Sequence, residues 1–216
     1  MKILLVAATR AELPLLQKQS GLEVKTLVTG VGMVASAFSL GQRLAQEHFD
    51  LVINCGIAGA IDRSFHPGEA LVVSSDRFYR FGAEDGEQFL SVFDLNLLAP
   101  DVPPFKNGLL HGLGKDHFAA TTHLREAEGI TVQLVHGNAK SIKVLRESTP
   151  SAQVESMEGA AVFYAATNAN IHCLQMRTIS NYVETRNRAS WDIPLALQVL
   201  HKQVAILIDS IAGIAL

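Results

Sequence analysis

The chain has 216 residues, of which 48% are hydrophobic and only 18% charged. This balance excludes a disordered chain, which combines few apolar residues with a large net charge. Eighteen basic and 21 acidic residues leave a formal charge of -3, and 6% aromatics with one tryptophan give no basic, base-stacking surface for nucleic acid.

From the N-terminus, Lys2–Ala8 reads as a buried strand. Its apolar run is short for a signal peptide and ends at Arg10 and Glu12. Arg10–Gln19 reads as a short helix and Leu22–Thr29 as a second strand. Met33–Phe49 carries Val34, Phe38, Ala45 and Phe49 at helical spacing. Asp50–Cys55 is a continuous apolar strand of the kind covered on both faces, and Glu69–Ser75 is another. The stretch Phe78–Asp116 has weak periodicity and three of the seven prolines, so it reads as irregular. Thr131–His136 reads as a strand, Ala139–Glu147 as a helix, Gln153–Ser156 as a short extended piece and Met157–Asn168 as a helix. His172–Ser180 is a strand, and Ile193–Ile211 is an amphipathic helix with Leu197, Leu200, Val204, Leu207 and Ile211 as its stripe. The alternation predicts a single α/β domain over residues 1–216, with no linker or repeat.

Neither Thr26–Gln42 nor Val204–Leu216 reads as a membrane span, because polar residues interrupt the roughly 20 apolar residues a span needs. Cys55 and Cys173 lie in apolar runs without metal or disulfide spacing, as expected of buried thiols in a reducing cytoplasm. The eight histidines show no metal motif and read as surface or loop residues, with His136 and His172 partly buried.

Four side chains carry candidate chemistry. Arg177 sits in an apolar strand, where a guanidinium must find an anionic partner or ligand. Glu12 and Glu158 follow strands, and an acid in a first helical turn also has an ordinary role in complementing the helix dipole. Asn181 follows the Arg177 strand, where a turn residue is equally at home. Singly, each has a structural reading. Jointly, Glu12, Glu158 and Asn181 fall at the carboxyl ends of strands, where open α/β sheets bind ligands. Gly56, Ile57, Ala58 and Gly59 follow another strand and permit close approach of a ligand. The run Gly30–Ala35 matches G-x-G-x-x-A, but it follows the second strand, and the next strand has no acid at its tip. A dinucleotide site is therefore a weak reading.

The segments TLVTGVGMVASA, INCGIAGAIDRSFHPGEALVVS, VESMEGAAVFYAA and MRTISN occur in this order. With them the chain resembles the purine nucleoside phosphorylase superfamily, in its nucleosidase branch of methylthioadenosine/S-adenosylhomocysteine type. Within the branch, FLSVFDLNLL, PFKNG, GITVQLVHGN and RTISNYVETRNRASWDIP are most similar to the futalosine hydrolases. The resemblance implies a mixed central β-sheet flanked by helices, a homodimer or larger homo-oligomer, and no metal or organic cofactor. It implies hydrolysis of an N-ribosidic bond, releasing hypoxanthine from futalosine on a route to menaquinone. Glu12 would position water, Met157 and Glu158 would line the ribose, and Arg177 would order the carboxylates. Gly56, Ile57, Ala58, Gly137, Asn138, Phe78 and Trp191 are further candidates to line the substrate.

The family pattern departs at Asn181, where adenosine-type enzymes carry Asp. An amide can hydrogen-bond a 6-oxopurine without acting as a Brønsted acid, which favours hypoxanthine as leaving group. A 6-amino nucleoside and a phosphorolytic reaction are the alternatives. Apolar Ile57 and the lack of a phosphate turn in AATRAEL favour water over phosphate. A nucleoside sensor without turnover is the non-enzymatic rival, and the retained Glu12 and Glu158 count against it. For the aryl carboxylate on the 5′ side of futalosine, Arg80, Lys106, Arg186 and Arg188 are the candidate cations, with Trp191, Phe78, Tyr79 and Phe81 as candidate aryl neighbours.

Overall fold

The computed structural model describes residues 1–16 and 21–214. A single α/β domain emerges, with a mixed central sheet flanked by helices. The sheet strands are β1 (Lys2–Ala7), β2 (Glu23–Val28), β3 (Leu51–Ala60), β4 (Ala70–Phe78), β7 (Leu110–His111), β8 (Arg125–Thr131), β9 (Val154–Ser156) and β10 (His172–Tyr182). A separate hairpin holds β5 (Gly82–Asp85) and β6 (Gln88–Ser91). The helices are α1 (Met33–Gln46), α2 (Ala139–Ser148), α3 (Gly159–Asn168) and α4 (Ile193–Ile214).

β1 runs parallel to both β2 and β3, and β3 runs parallel to β10. β10 then meets β4 antiparallel, β4 meets β8 parallel, β8 meets β9 parallel, and β9 returns antiparallel to β3. Strands β3, β10, β4, β8 and β9 therefore close into a ring, with β1 and β2 as an open wing.

Alternation along β1 divides the core in two. Ile3, Leu5 and Ala7 join Leu200, Val204, Leu207 and Ile211 of α4 on one face. Leu4 and Val6 point the other way, toward Leu40 of α1 and Phe163 of α3. A strand buried on both faces needs apolar residues at every position, and KILLVA supplies them. The span Arg188–Gly213 is long and apolar enough to cross a membrane, yet Leu200, Val204 and Leu207 within it have no solvent exposure.

Several sequence-based boundaries shift. The helix expected over Arg10–Gln19 is a 3-10 turn at Arg10–Glu12, and residues 17–19 of that expectation lie outside the described residues. β3 continues through Gly56–Ala60, so the glycine segment is strand rather than loop, because β10 pairs with it along that length. The strand expected at Thr131–His136 ends at Thr131. Val132 still bonds Ser156, after which the chain leaves the sheet and exposes Leu134. α1 buries Ser36 and Leu40 and turns the expected apolar face, Val34 and Phe38, outward at 73% and 69% exposure. His172 is exposed.

Candidate functional site

One cavity of about 310 Å³ brings together Glu12, Ile57, Ala58, Met157, Glu158, Asn181 and Trp191. Its carboxylates are held by backbone. Thr9 and Glu12 form a tight turn after β1, in which Glu12 Oε2 accepts from Thr9 N at 2.9 Å and Thr9 Oγ1 at 2.8 Å. Glu12 Oε1 accepts from Ile57 N at 3.2 Å. Glu158 caps α3, and its Oε1 accepts from Gly32 N at 2.9 Å. Gly32 has φ +94°, a left-handed conformation natural to glycine, and its turn supplies the N–H that fixes a carboxylate 126 positions later. This is a concrete role for the G-x-G-x-x-A segment. Glu12 and Glu158 are 6% and 7% exposed, so both carboxylates act in a poorly hydrated space.

Arg177 lies behind the cavity wall at 1% exposure. It pairs with Gly56 across β3 and β10, and the missing side chain makes room for the guanidinium next to Glu12. Its Nη2 donates to Gln175 Oε1 at 3.0 Å, while Nε is a buried donor without a hydrogen-bond partner among the described residues. Gln175 Oε1 also accepts from Asn54 Nδ2, and Gln175 Nε2 donates to Asp76 Oδ2 at 3.1 Å. Thr131 Oγ1 donates to Asp76 Oδ1 at 3.0 Å and accepts from Ala160 N at 2.7 Å. A buried polar chain thus links Arg177 to the start of α3, the helix that Glu158 caps. Burial pushes the Asp76 carboxyl up to about 6, opposed by the Gln175 and Thr131 hydrogen bonds and by Arg177.

Asn181 sits inside β10, at a register shift between Ile179 and Asn181, rather than beyond the strand end. A bulge of this kind re-aims a side chain. Asn181 Oδ1 accepts from Ser180 Oγ at 2.8 Å, and Nδ2 donates one hydrogen to Tyr182 O at 2.9 Å. An amide nitrogen has two donors, so this geometry fixes its orientation while keeping a second N–H.

The remaining candidates divide. Trp191 lines the cavity, and the Arg186 guanidinium stacks on its ring at 5.1 Å. Gly56, Gly137 and Asn138 are not among the lining residues: Gly56 lies against Arg177 and Glu12, Gly137 O accepts from Arg186 N, and Asn138 caps α2 through Lys140 N. Phe78 lines a different, larger cleft of about 650 Å³, with Tyr79, Arg80, Phe81 and Phe105. That cleft lacks Glu12, Glu158 and Asn181, which the smaller cavity gathers. His136 and Glu155 line the same cavity as the carboxylates, with side chains only 7% and 5% exposed. Sequence reasoning misses both as site residues, although a Glu three residues before Glu158 and a His closing an apolar run are visible in the chain. It also misses Asp76, a lone acid in an apolar strand. Among the described residues no group of three or more His, Cys, Asp or Glu side chains could hold a metal ion.

The chain is 34% identical to a futalosine hydrolase of Acidothermus cellulolyticus over 189 residues, covering 84% of this chain and 73% of that one. It is 32% identical to the futalosine hydrolase of Streptomyces coelicolor, covering 81% and 74%. It is 27% identical to that of Thermus thermophilus, covering 97% and 96%. The fold is similar to that of 5′-methylthioadenosine/S-adenosylhomocysteine nucleosidase from Neisseria meningitidis, with TM-score 0.78, 15% identity and coverage of 97% and 99%. It is also similar to futalosine hydrolase of Helicobacter pylori, with TM-score 0.75, 16% identity and coverage of 96% and 97%. The family model described as the phosphorylase superfamily matches residues 9–212, and the chain belongs to that superfamily.

Proposed function

We propose that this chain is a nucleosidase that hydrolyses the N-ribosidic bond of futalosine and releases hypoxanthine. The observation that carries this reading is the pair of buried carboxylates, Glu12 and Glu158, held by backbone N–H groups in one cavity with Asn181. Relatives named futalosine hydrolase, at 27–34% identity, support the substrate.

In this mechanism the bond from the sugar to the base nitrogen breaks, and its electron pair leaves with the purine. Glu158 stabilises the oxocarbenium-like sugar by its charge. Glu12 accepts a proton from water as the water oxygen bonds the anomeric carbon. The second N–H of Asn181 hydrogen-bonds the departing base as negative charge develops there, and the base then takes a proton from solvent while Glu12 returns the one it accepted, which releases neutral hypoxanthine and resets the site. Arg177 holds the Glu12 side of the site from behind and touches no reacting atom. Arg186, stacked on Trp191 at the cavity, is the cation best placed for the aryl carboxylate of futalosine. Arg80 pairs instead with Glu84 and faces the other cleft.

A homodimer accompanies this reading. Val31 lines the cavity at 59% exposure, and Val34 and Phe38 follow it on the outer face of α1. An exposed apolar stripe next to a site supports burial by a second copy.

The test is incubation with futalosine in phosphate-free buffer, with chromatography of the products. Release of hypoxanthine is expected. No release refutes the proposal, and release only with added phosphate makes the chain a phosphorylase.

A further inference from the structure

We propose that the buried His136–Glu155 pair reads the six-membered edge of the purine and makes the cavity selective for a 6-oxo base. This rests on the purine-nucleoside reading above and names the residues that give it specificity.

The placement comes from the sheet. Glu155 on β9 is the register partner of Gly59 on β3, and Gly59 is the partner of Asn181 on β10. Three strands side by side therefore present Glu155, Gly59 and Asn181 in a row. With neighbouring strands about 4.8 Å apart, the two polar residues flank the glycine across about 10 Å. Gly59 puts no side chain between them, and its missing Cβ would stand 3.0 Å from Val183 Cγ2 and 3.3 Å from Asn181 Nδ2. All three line the cavity. Glu12 and Glu158 lie toward the β1 end, where a cationic sugar would sit. The Glu155–Asn181 row lies on the β9 and β10 side of the cavity, and this is where we seat the base.

The count of donors and acceptors selects the base. Glu155 Oε1 accepts from His136 N at 3.0 Å, and Oε2 pairs with His136 Nδ1. We take Glu155 as the acceptor of this pair, with the hydrogen on Nδ1. A carboxylate offers about four acceptor sites, and these two bonds leave it able to accept more. Among the described residues, His136 is the one ion-pair partner of Glu155. The pair thus confronts the cavity with surplus acceptor capacity, and the His136 backbone donor is already engaged. A 6-oxopurine presents N1–H, a donor that a carboxylate satisfies. A 6-aminopurine keeps donors on its N6 amine but presents a bare lone pair at N1, so at the point where a 6-oxopurine offers a donor the carboxylate would meet a second acceptor, and His136 N is already engaged. Discrimination by an unpaired polar group in a buried site is large.

Two experiments test this. First, the wild-type protein is titrated calorimetrically with hypoxanthine, 1-methylhypoxanthine and adenine. We expect 1-methylhypoxanthine and adenine to bind at least about a hundredfold more weakly than hypoxanthine. Equal affinity for hypoxanthine and its 1-methyl derivative overturns the proposal. Second, Glu155→Gln, which adds a donor, is assayed on futalosine and its 6-amino analogue. The ratio of kcat/KM values should fall by about a hundredfold or more toward the 6-amino substrate. An equal loss on both substrates, or an unchanged ratio, shows a structural role and overturns it. The binding arm needs no turnover. If no nucleoside is cleaved but hypoxanthine binding depends on N1–H, the hydrolase reading fails and this inference stands.

Discussion

Gly56 and Arg177 occupy one another's space: a Cβ on the glycine would lie 2.1 Å from Arg177 Nη1 and 2.9 Å from Glu12 Oε1. No real Cβ tolerates the first distance, so Gly56→Ala must displace the guanidinium from beside Glu12. We expect a stability loss of about 1–3 kcal/mol, typical of overpacking. Activity should drop at least about tenfold in the fraction that folds, the cost of misplacing a carboxylate that must meet its water in line. Denaturant melts with parallel rate measurements check this, and unchanged kcat would separate Arg177 from the site.

Glu12→Gln and Glu158→Gln keep shape and remove charge. Glu12→Gln should cost about 10²–10⁴-fold in kcat, the range for a lost general base. Glu158→Gln should cost about 10²–10³-fold through lost stabilisation of the sugar cation. Circular dichroism should show both folded. Near-normal turnover in either variant removes that residue from the mechanism.

Asp76 predicts a pH dependence of stability. Burial makes its carboxyl hold its proton up to about 6 when folded, against 3.8 as the ordinary value. The native state therefore binds more protons between these values. The stabilisation is full below the ordinary value and is lost as pH rises from about 4 to about 6. A tighter hold on the proton by about two pH units corresponds to at most about 3 kcal/mol. Asp76→Asn abolishes this titration, so its stability relative to wild type should rise across that window. Urea melts at pH 4, 5, 6 and 7 measure it, and a constant difference contradicts the assignment.

Arg186→Ala tests the outer end of the cavity. The guanidinium is exposed, so its contribution to a carboxylate is modest, about 1 kcal/mol. KM for futalosine should rise by roughly fivefold with kcat little changed, as that energy converts. Inosine, which lacks the aryl carboxylate, should be unaffected. Equal effects on both substrates would exclude a role in carboxylate binding.

Phe38→Glu places a charge on the exposed stripe of α1. Sedimentation should show the wild-type dimer and a monomeric variant. A wild-type monomer would leave Val34 and Phe38 without the proposed partner.

The strands that build the site are legible in the chain because their chemistry is local. Lys2–Ala7 and His172–Ser180 are largely apolar runs, and Glu12, Glu158 and Arg177 stand out as charges at or within such runs. What escapes depends on pairings between distant segments. Gly56–Ala60 has the composition of a loop, and only β10 beside it makes it strand. Val132–His136 is β-branched and apolar enough to read as a strand, yet the chain turns out and brings His136 to Glu155, a contact between segments 19 positions apart. The helical period of α1 is real, but period alone does not say whether a stripe faces the core or another molecule.

The closed ring of strands has a consequence for how the site comes into being. Its seam is β9, three residues long, which bonds β3 through Gly59 and Ala60 and leads directly into Met157 and Glu158. No subset of the chain can hold Glu12, Asn181 and Glu158 in register until that seam closes. Assembly of the cavity is thereby tied to that closure, and a transient opening at β9 would part Glu155 and Glu158 from Glu12 and Asn181 in the same event.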